Sequence, residues 1–234
     1  ASVTLVDLTL RNGAIDIVDA GTTAGNVYRV ERVRVQSIGR PEVVGCAVNV
    51  TLNSPAPQVI VGDNTIRTGA VSGSPRRGIC VVAEASPTIN AAVFRNRVSA
   101  QGGVPMVVGI GVNGGAGGSV QLSANTVLGP GLINGIAVQR SAGSSTRTLR
   151  VDNNVVAGQD DAAAWGLTIQ SVNTDARIVN NTIVHGARGM LVAGFDALPV
   201  NARVANNLVA FHTTLGYSIQ PGPTTNANNL AFAN

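Results

Sequence analysis

Apolar and polar residues alternate over short stretches along the whole chain, and no stretch of ten or more residues carries helical spacing. Two alternating signatures recur. The first reads apolar, two free positions, Asn, one free position, apolar, and it runs from Val61 to Ile66, Val93 to Val98, Leu122 to Val127, Val151 to Val156, Ile178 to Ile183 and Val204 to Val209. Its asparagines are Asn64, Asn96, Asn125, Asn154, Asn181, Asn207 and Asn229, in steps of 32, 29, 29, 27, 26 and 22 residues. Two earlier copies keep the apolar positions but place Leu8 and Val33 where the asparagine belongs. The second signature reads Gly, apolar, any residue, apolar. It begins at Gly45, Gly78, Gly109, Gly135, Gly166, Gly189 and Gly216.

Recurrence at 20 to 50 residues marks a stack of similar units. Each unit here offers two short strands joined by connections rich in Gly, Ser, Pro and Asn. The expected architecture is all-β: a right-handed parallel β-helix, or solenoid, of about eight to nine coils, forming one domain over residues 1–234. At ~4.8 Å per coil such a rod is roughly 40 Å long. Leu5, Val30, Val61, Val93, Leu122, Val151, Ile178 and Val204 are expected to form one inward column. Leu10, Val35, Ile66, Val98, Val127, Val156, Ile183 and Val209 are expected to form another. The asparagines should stack at the bend between strands, in turns that tolerate left-handed backbone, and hydrogen-bond from coil to coil as amide ladders do. The glycines should open strands where φ is positive or the backbone is crowded.

Composition fits this picture and narrows it. Of the 234 residues, 44% are hydrophobic but only 3% are aromatic and 12% charged, so the core must be aliphatic. A mean hydropathy of +0.24 argues against disorder, and no apolar run reaches the ~18 residues that membrane insertion requires. All sixteen positive residues are arginine and the net charge is +4. With no dense basic run or aromatic stacking platform, nucleic acid is not an expected partner.

The Asn-centred unit and the Gly-apolar-x-apolar unit resemble the repeats of the right-handed parallel β-helix superfamily, pectin-lyase-like in fold, over about residues 3 to 231. The resemblance implies an extracellular or cell-surface protein, bacterial in type. It does not select among lyases, hydrolases, adhesins and structural proteins. Enzymes of the superfamily usually carry an N-terminal helical cap and a cluster of Asp, Arg or His on one outer face. No cap is seen at either end, so the chain is also read as a piece of a longer one or as a unit whose ends meet partners.

Outward columns are where chemistry could sit. Arg150, Arg177 and Arg203 fall four residues before the asparagine in three successive coils, a row of guanidinium forks suited to carboxylate or sulfate groups on an acidic polysaccharide. Trp165, beside Asp160 and Asp161 in a loop, is a candidate sugar contact. Asp160, Asp161, Asp175, Asp196, His185 and His212 are the candidates for acid–base work, with no pair at catalytic spacing. The alternation Asp7, Arg32, Asp63, Arg95 reads as a self-neutralising charge ladder beside the column Thr9, Arg34, Thr65, Arg97. The run from Asn113 to Gly118 reads as a flexible connection. Cys46 is expected inward, aligned with Ile79, and Cys80 outward, so no disulfide is expected between them. No metal or cofactor is expected, calcium entering only if the protein is a lyase.

Three functions are carried forward. The first is a secreted or cell-surface structural or adhesive module that binds an acidic polysaccharide. The second is a polysaccharide lyase or glycoside hydrolase acting on a uronate-containing polymer. The third is a filament subunit that self-associates through its coil ends.

Overall fold

The computed structural model describes residues 2–19, 21–37, 45–68, 76–83, 88–100, 106–115, 117–129, 132–139, 146–159, 163–171, 173–194, 200–220 and 224–233. They form an all-β parallel solenoid. A nine-stranded sheet makes the first face, from Ser2–Val6 through Val27–Glu31, Gln58–Gly62, Thr88–Phe94, Gly117–Ser123, Arg147–Asp152, Thr174–Val179 and Asn201–Ala205 to Thr224–Ala227. A fifteen-stranded sheet wraps the rest of the rod as two further faces. Its second face starts just past the asparagine position, in Thr9–Arg11, Arg34–Ser37, Thr65–Thr68, Arg97–Ala100, Thr126–Leu128 and Val155–Gln159. Its third face comprises Ile15–Asp19, Gly45–Leu52, Arg76–Ala83, Met106–Gly114, Leu132–Gln139 and Trp165–Gln170. The long strands Thr182–Ala193 and Leu208–Ile219 run round the corner and join the two faces.

All strand pairs are parallel, and the register stacks equivalent residues of successive rungs. Both expected inward columns are present: Val30, Val61, Val93, Leu122, Val151, Ile178 and Val204 are fully buried, as are Val35, Ile66, Val98, Val127, Ile183 and Val209. Each buried aliphatic stabilises the fold by about 1.5–3 kcal/mol relative to exposure, which explains a core made almost without aromatic rings.

At the corner between first and second faces, the asparagines form a closed ladder. Asn125 is typical: its Oδ1 accepts the backbone N–H of Asn96 at 3.1 Å and the Asn96 side-chain amide at 3.0 Å. Its Nδ2 donates to the Val93 carbonyl at 2.9 Å and to Asn154 Oδ1 at 3.0 Å. The same set recurs from Asn64 to Asn229, and Val33 begins it by donating its backbone N–H to Asn64 Oδ1 at 2.8 Å. The left-handed residue is not the ladder asparagine but the one before it. Asp7, Arg32, Asp63, Arg95, Ala124, Asn153, Asn180, Asn206 and Asn228 all have φ between 51° and 57°. This turn aims the next side chain into the rod, where its amide is shielded from water.

Glycine has a different duty at the other corner. A Cβ on Gly135 would lie 2.1 Å from Val156 Cγ1 and 2.5 Å from the Gly166 carbonyl oxygen, and Gly78, Gly109 and Gly189 meet the same obstruction. These positions face the inward valine column with the next rung's backbone against them. Backbone crowding, not positive φ, demands glycine there.

That corner corrects the cysteine expectation, because Cys46 and Cys80 form a disulfide with Cα atoms 5.9 Å apart. Val48, not Cys46, stands opposite Ile79, while Cys46 stands opposite Arg77, so Ala47 takes the corner position of Gly78. The Gly45 repeat is therefore offset by two residues. Since the corner residue and its successor both face inward, the bend resets the alternation and turns Cys46 outward, toward Cys80. The described residues of the run from Asn113 to Gly118 are also not a loose connection. Met106–Gly114 and Gly117–Ser123 are strands, and Gly114 (φ 84°) and Gly118 (φ 96°) lie against the carbonyls of Ala83 and Ile89, where no Cβ fits.

Candidate functional site

The arginine row stands on the outer side of the first face. In Arg147–Asp152, Thr174–Val179 and Asn201–Ala205, burial alternates so that Leu149, Ala176 and Ala202 point inward and Arg150, Arg177 and Arg203 outward. Register puts Arg150 beside Arg177 and Arg177 beside Arg203, one rung apart. Only the first is neutralised. Arg150 Nε donates to Asp152 Oδ1 at 2.8 Å and its Nη2 to Oδ2 at 3.2 Å, and this hydrogen-bonded carboxylate raises the arginine's pKa. The Asn153 side chain holds the same carboxylate at 2.9 Å. Among the described residues, no carboxylate lies within ion-pair distance of Arg177 or Arg203.

A shallow concavity of about 330 Å³ opens over this row, with Thr148, Asp175 and the three arginines along it. Asp175 is exposed and accepts a hydrogen bond from the Asn201 side chain at 3.2 Å. Asp152 is locked against Arg150. The arrangement can therefore hold two or three anionic groups spaced at the rung repeat, with Asp175 as its one solvent-facing acid among the described residues. Acid–base cleavage of a glycosidic bond in the usual manner takes two carboxyl groups flanking the bond.

The other candidates do not join the row. Trp165 begins a strand of the third face, with the Arg188 guanidinium 5.5 Å from its ring centroid. His185 and His212 do not form a dyad. His212 is buried with Nε2 3.1 Å from the Ile183 carbonyl, and burial lowers its pKa against the opposing pull of backbone hydrogen bonds. His185 is exposed and stacks on Phe211, with ring centroids 4.9 Å apart. Both stacked residues adopt left-handed backbone, φ 56° and 59°, at a corner where the preceding rungs use Gly129 and Gly158. Asp160, Asp161 and Asp196 lie outside the described residues. No group of three or more His, Cys, Asp or Glu able to hold a metal occurs among the described residues.

The charge ladder resolves into two discrete pairs. Arg32 is bidentate on Asp7 at 2.7 and 2.9 Å, and Arg95 is bidentate on Asp63 at 2.7 Å for both bonds. The hydrogen bond from each arginine lowers the pKa of its aspartate. The neighbouring column is different: among the described residues, Arg34 and Arg97 have no such partner. The sequence shows alternating charge in the first column alone, and gives no acid to the second. Their relation to the ladder turn was the available signal, since one column sits on the turn and the other on the flat face beyond it.

Sequence reasoning also missed a buried acid near the start of the rod. Asp19 accepts backbone N–H groups of Ser54 at 2.9 Å and Gly21 at 3.0 Å and the Asn26 side chain at 3.3 Å. Burial acts to raise its pKa, but the hydrogen bonds it accepts outweigh burial and hold the carboxyl well below the usual range. Among the described residues these donors belong to the chain itself, and they tie Asp19 to Gly21, Asn26 and Ser54. No protein-family model matches this chain, and no curated protein or solved structure matches it either.

Proposed function

We propose that this chain is a surface-displayed β-helix module that binds an acidic polysaccharide through Arg150, Arg177 and Arg203. The observation that carries the reading is the stacking of three outward guanidinium groups on successive rungs, two of them without a carboxylate partner among the described residues. Like charges one rung apart, ~4.8 Å, repel one another unless an anion lies across them. A polymer with a carboxylate or sulfate on each sugar offers a matching series of anions, and arginine's fork can take each one bidentately. The Cys46–Cys80 disulfide supports an oxidising, extracytoplasmic setting. The Asn-centred repeat supports placing the chain within the pectin-lyase-like superfamily.

Affinity electrophoresis and calorimetry with polygalacturonate, alginate and a neutral glucan test the reading. Binding to the acidic polymers should weaken with salt, and Arg177→Gln with Arg203→Gln should lower the salt slope by about one per arginine removed, by analogy with phosphate contacts. Equal retention of the variant and the unaltered protein would remove the row from the binding surface.

A further inference from the structure

The second face is divided along its length, and the division has a chemical sense. Its two outward columns begin at Thr9 and Arg11 and end at Leu230 and Phe232. Over the first four rungs they present Arg11, Arg34, Arg67 and Arg97, all exposed, alternating between the columns so that no two stack directly. Thr9, Gln36, Thr65 and Ser99 fill the positions between. From the fifth rung onward the charges stop. One column continues as Thr126, Val155, Thr182, Leu208 and Leu230 and the other as Leu128, Ala157, Val184, Ala210 and Phe232, so apolar side chains predominate over threonine. Val155 is 38% exposed, Phe232 49% and the adjoining corner residue Phe211 53%.

Neither outward column contains an acid, and among the described residues none of the four arginines is in an ion pair. The acids along the rim, Asp7 and Asp63, are each held bidentately by Arg32 and Arg95. Among the described residues the surface is therefore cationic at one end, mainly apolar at the other, and without an unpaired acid to repel an anionic partner.

We infer that the second face docks onto an anionic phospholipid surface, with Arg11, Arg34, Arg67 and Arg97 on lipid phosphates and Leu128, Val155, Val184 and Leu208 at the headgroup–acyl boundary. Size favours a membrane over a second copy. Nine rungs of two columns cover roughly 300–430 Å², whereas a stable protein partner needs about 800 Å² per side. A bilayer sets no such threshold, because apolar insertion and cationic attraction add residue by residue. Contact is at the surface: among the described residues no helix is long and apolar enough to cross a membrane. The arginine row of the first face points elsewhere and stays free to hold a polysaccharide.

Vesicle co-sedimentation of the unaltered chain tests this, with phosphatidylcholine vesicles against vesicles mixing phosphatidylcholine and phosphatidylglycerol. Binding is expected only to the anionic vesicles. Arg34→Gln, Arg67→Gln and Arg97→Gln should each weaken it about fivefold. The triple variant Val155→Thr, Val184→Thr, Leu208→Thr keeps the charge and the strand-forming side chains, and should weaken it several-fold at fixed salt. Circular dichroism of every variant should be unchanged, since all these positions face outward. Three results would overturn the inference: no vesicle binding, full vesicle binding by the threonine variant, or loss caused equally by Arg177→Gln and Arg203→Gln. Concentration-dependent dimerisation that the threonine variant abolishes would also overturn it, by showing that a second copy covers the face.

Discussion

Asn125 sits mid-ladder with no solvent exposure, and its four hydrogen bonds make its contribution calculable. Asn125→Ala strips the acceptor from two buried donors, the backbone N–H and one amide hydrogen of Asn96. It also removes the donor to the Val93 carbonyl. At about 1–3 kcal/mol for each orphaned buried donor, the loss is about 2–6 kcal/mol, a large part of the ~5–15 kcal/mol that holds a domain together. Asn125→Asp is the sharper perturbation. It keeps Oδ1 for both Asn96 donors but sets an oxygen where Nδ2 stood, facing the Val93 carbonyl and Asn154 Oδ1, two acceptors. The carboxylate is thus buried and repelled, so its pKa must rise above the ~3.9 of an unfolded chain. A raised folded-state pKa gives stability that is fully present below the unfolded value and is lost as pH rises through the folded one. Urea denaturation followed by circular dichroism, for the unaltered protein and both variants from pH 3.5 to 7.5, reads the difference at each pH. Asn125→Asp should approach the unaltered protein near pH 3.5 and fall away toward neutrality, while the Asn125→Ala deficit stays flat. A deficit for Asn125→Asp that does not change with pH would refute the donor–acceptor assignment. A cost below about 0.5 kcal/mol for Asn125→Ala would show that the ladder does not hold the rungs.

The disulfide closes a separation of 34 residues, for which chain-entropy arguments give up to about 4 kcal/mol. Cys46→Ser with Cys80→Ser should lower stability by no more than that, and added reductant should shift the denaturation midpoint of the unaltered protein but not of the variant. His212 is held neutral by burial, with a pKa below its ordinary value. The unfolded chain therefore binds more protons in that window, and stability should rise with pH up to about 6.5 and fall on acidification. His212→Gln should flatten this dependence in thermal melts recorded from pH 5 to 8. Gly135→Ala forces a methyl group against Val156 and the Gly166 backbone and should cost about 1–3 kcal/mol by overpacking. Gly13→Ala, where nothing lies within 4 Å, is the matched control in the same denaturation assay.

What was legible in the sequence is what repetition imposes. Equivalent inward residues stack on one another, so Val61, Val93, Leu122 and Val151 had to share a character, and their spacing disclosed both the fold and the ladder. The corners were not legible at single-residue accuracy. Asn64 and Asn96 mark the first corner, but whether they or Asp63 and Arg95 carry the left-handed turn depends on which residue the turn aims inward. At the second corner Gly45 mimicked the repeat two residues early, and that shift reversed the facing of Cys46. A period-two pattern carries no warning of a slip by two. Alternation survives it, and only the bend reveals it. The arginine row was readable because three copies kept one offset from the asparagine. Arg34 and Arg97 were readable as one column with Thr9 and Thr65, but Arg11 and Arg67 stand in the next column, and only strand pairing sets the four on one surface.

The same logic explains why function must be sought on this rod's exterior. Inward positions of adjacent rungs constrain one another, and so do the ladder and the glycine corner. Substitutions there propagate along the axis, since each rung is stabilised chiefly by its neighbours. Outward positions are free of that constraint, and each face presents its own set of side chains. The first presents a partly unneutralised arginine row over a concavity, the second a cationic half and an apolar half. The third has a groove of about 140 Å³ floored by Gly111 and Ala137 and bordered by Arg77, Asn113 and Gln139. The disulfide half Cys80 also lines that groove, which makes it a fixed feature of the surface. A rigid support with separately written faces suits a protein that holds two different partners apart. That condition is met if polysaccharide binding fails with Arg177→Gln and Arg203→Gln, vesicle binding fails with Arg34→Gln and Arg97→Gln, and neither pair disturbs the other.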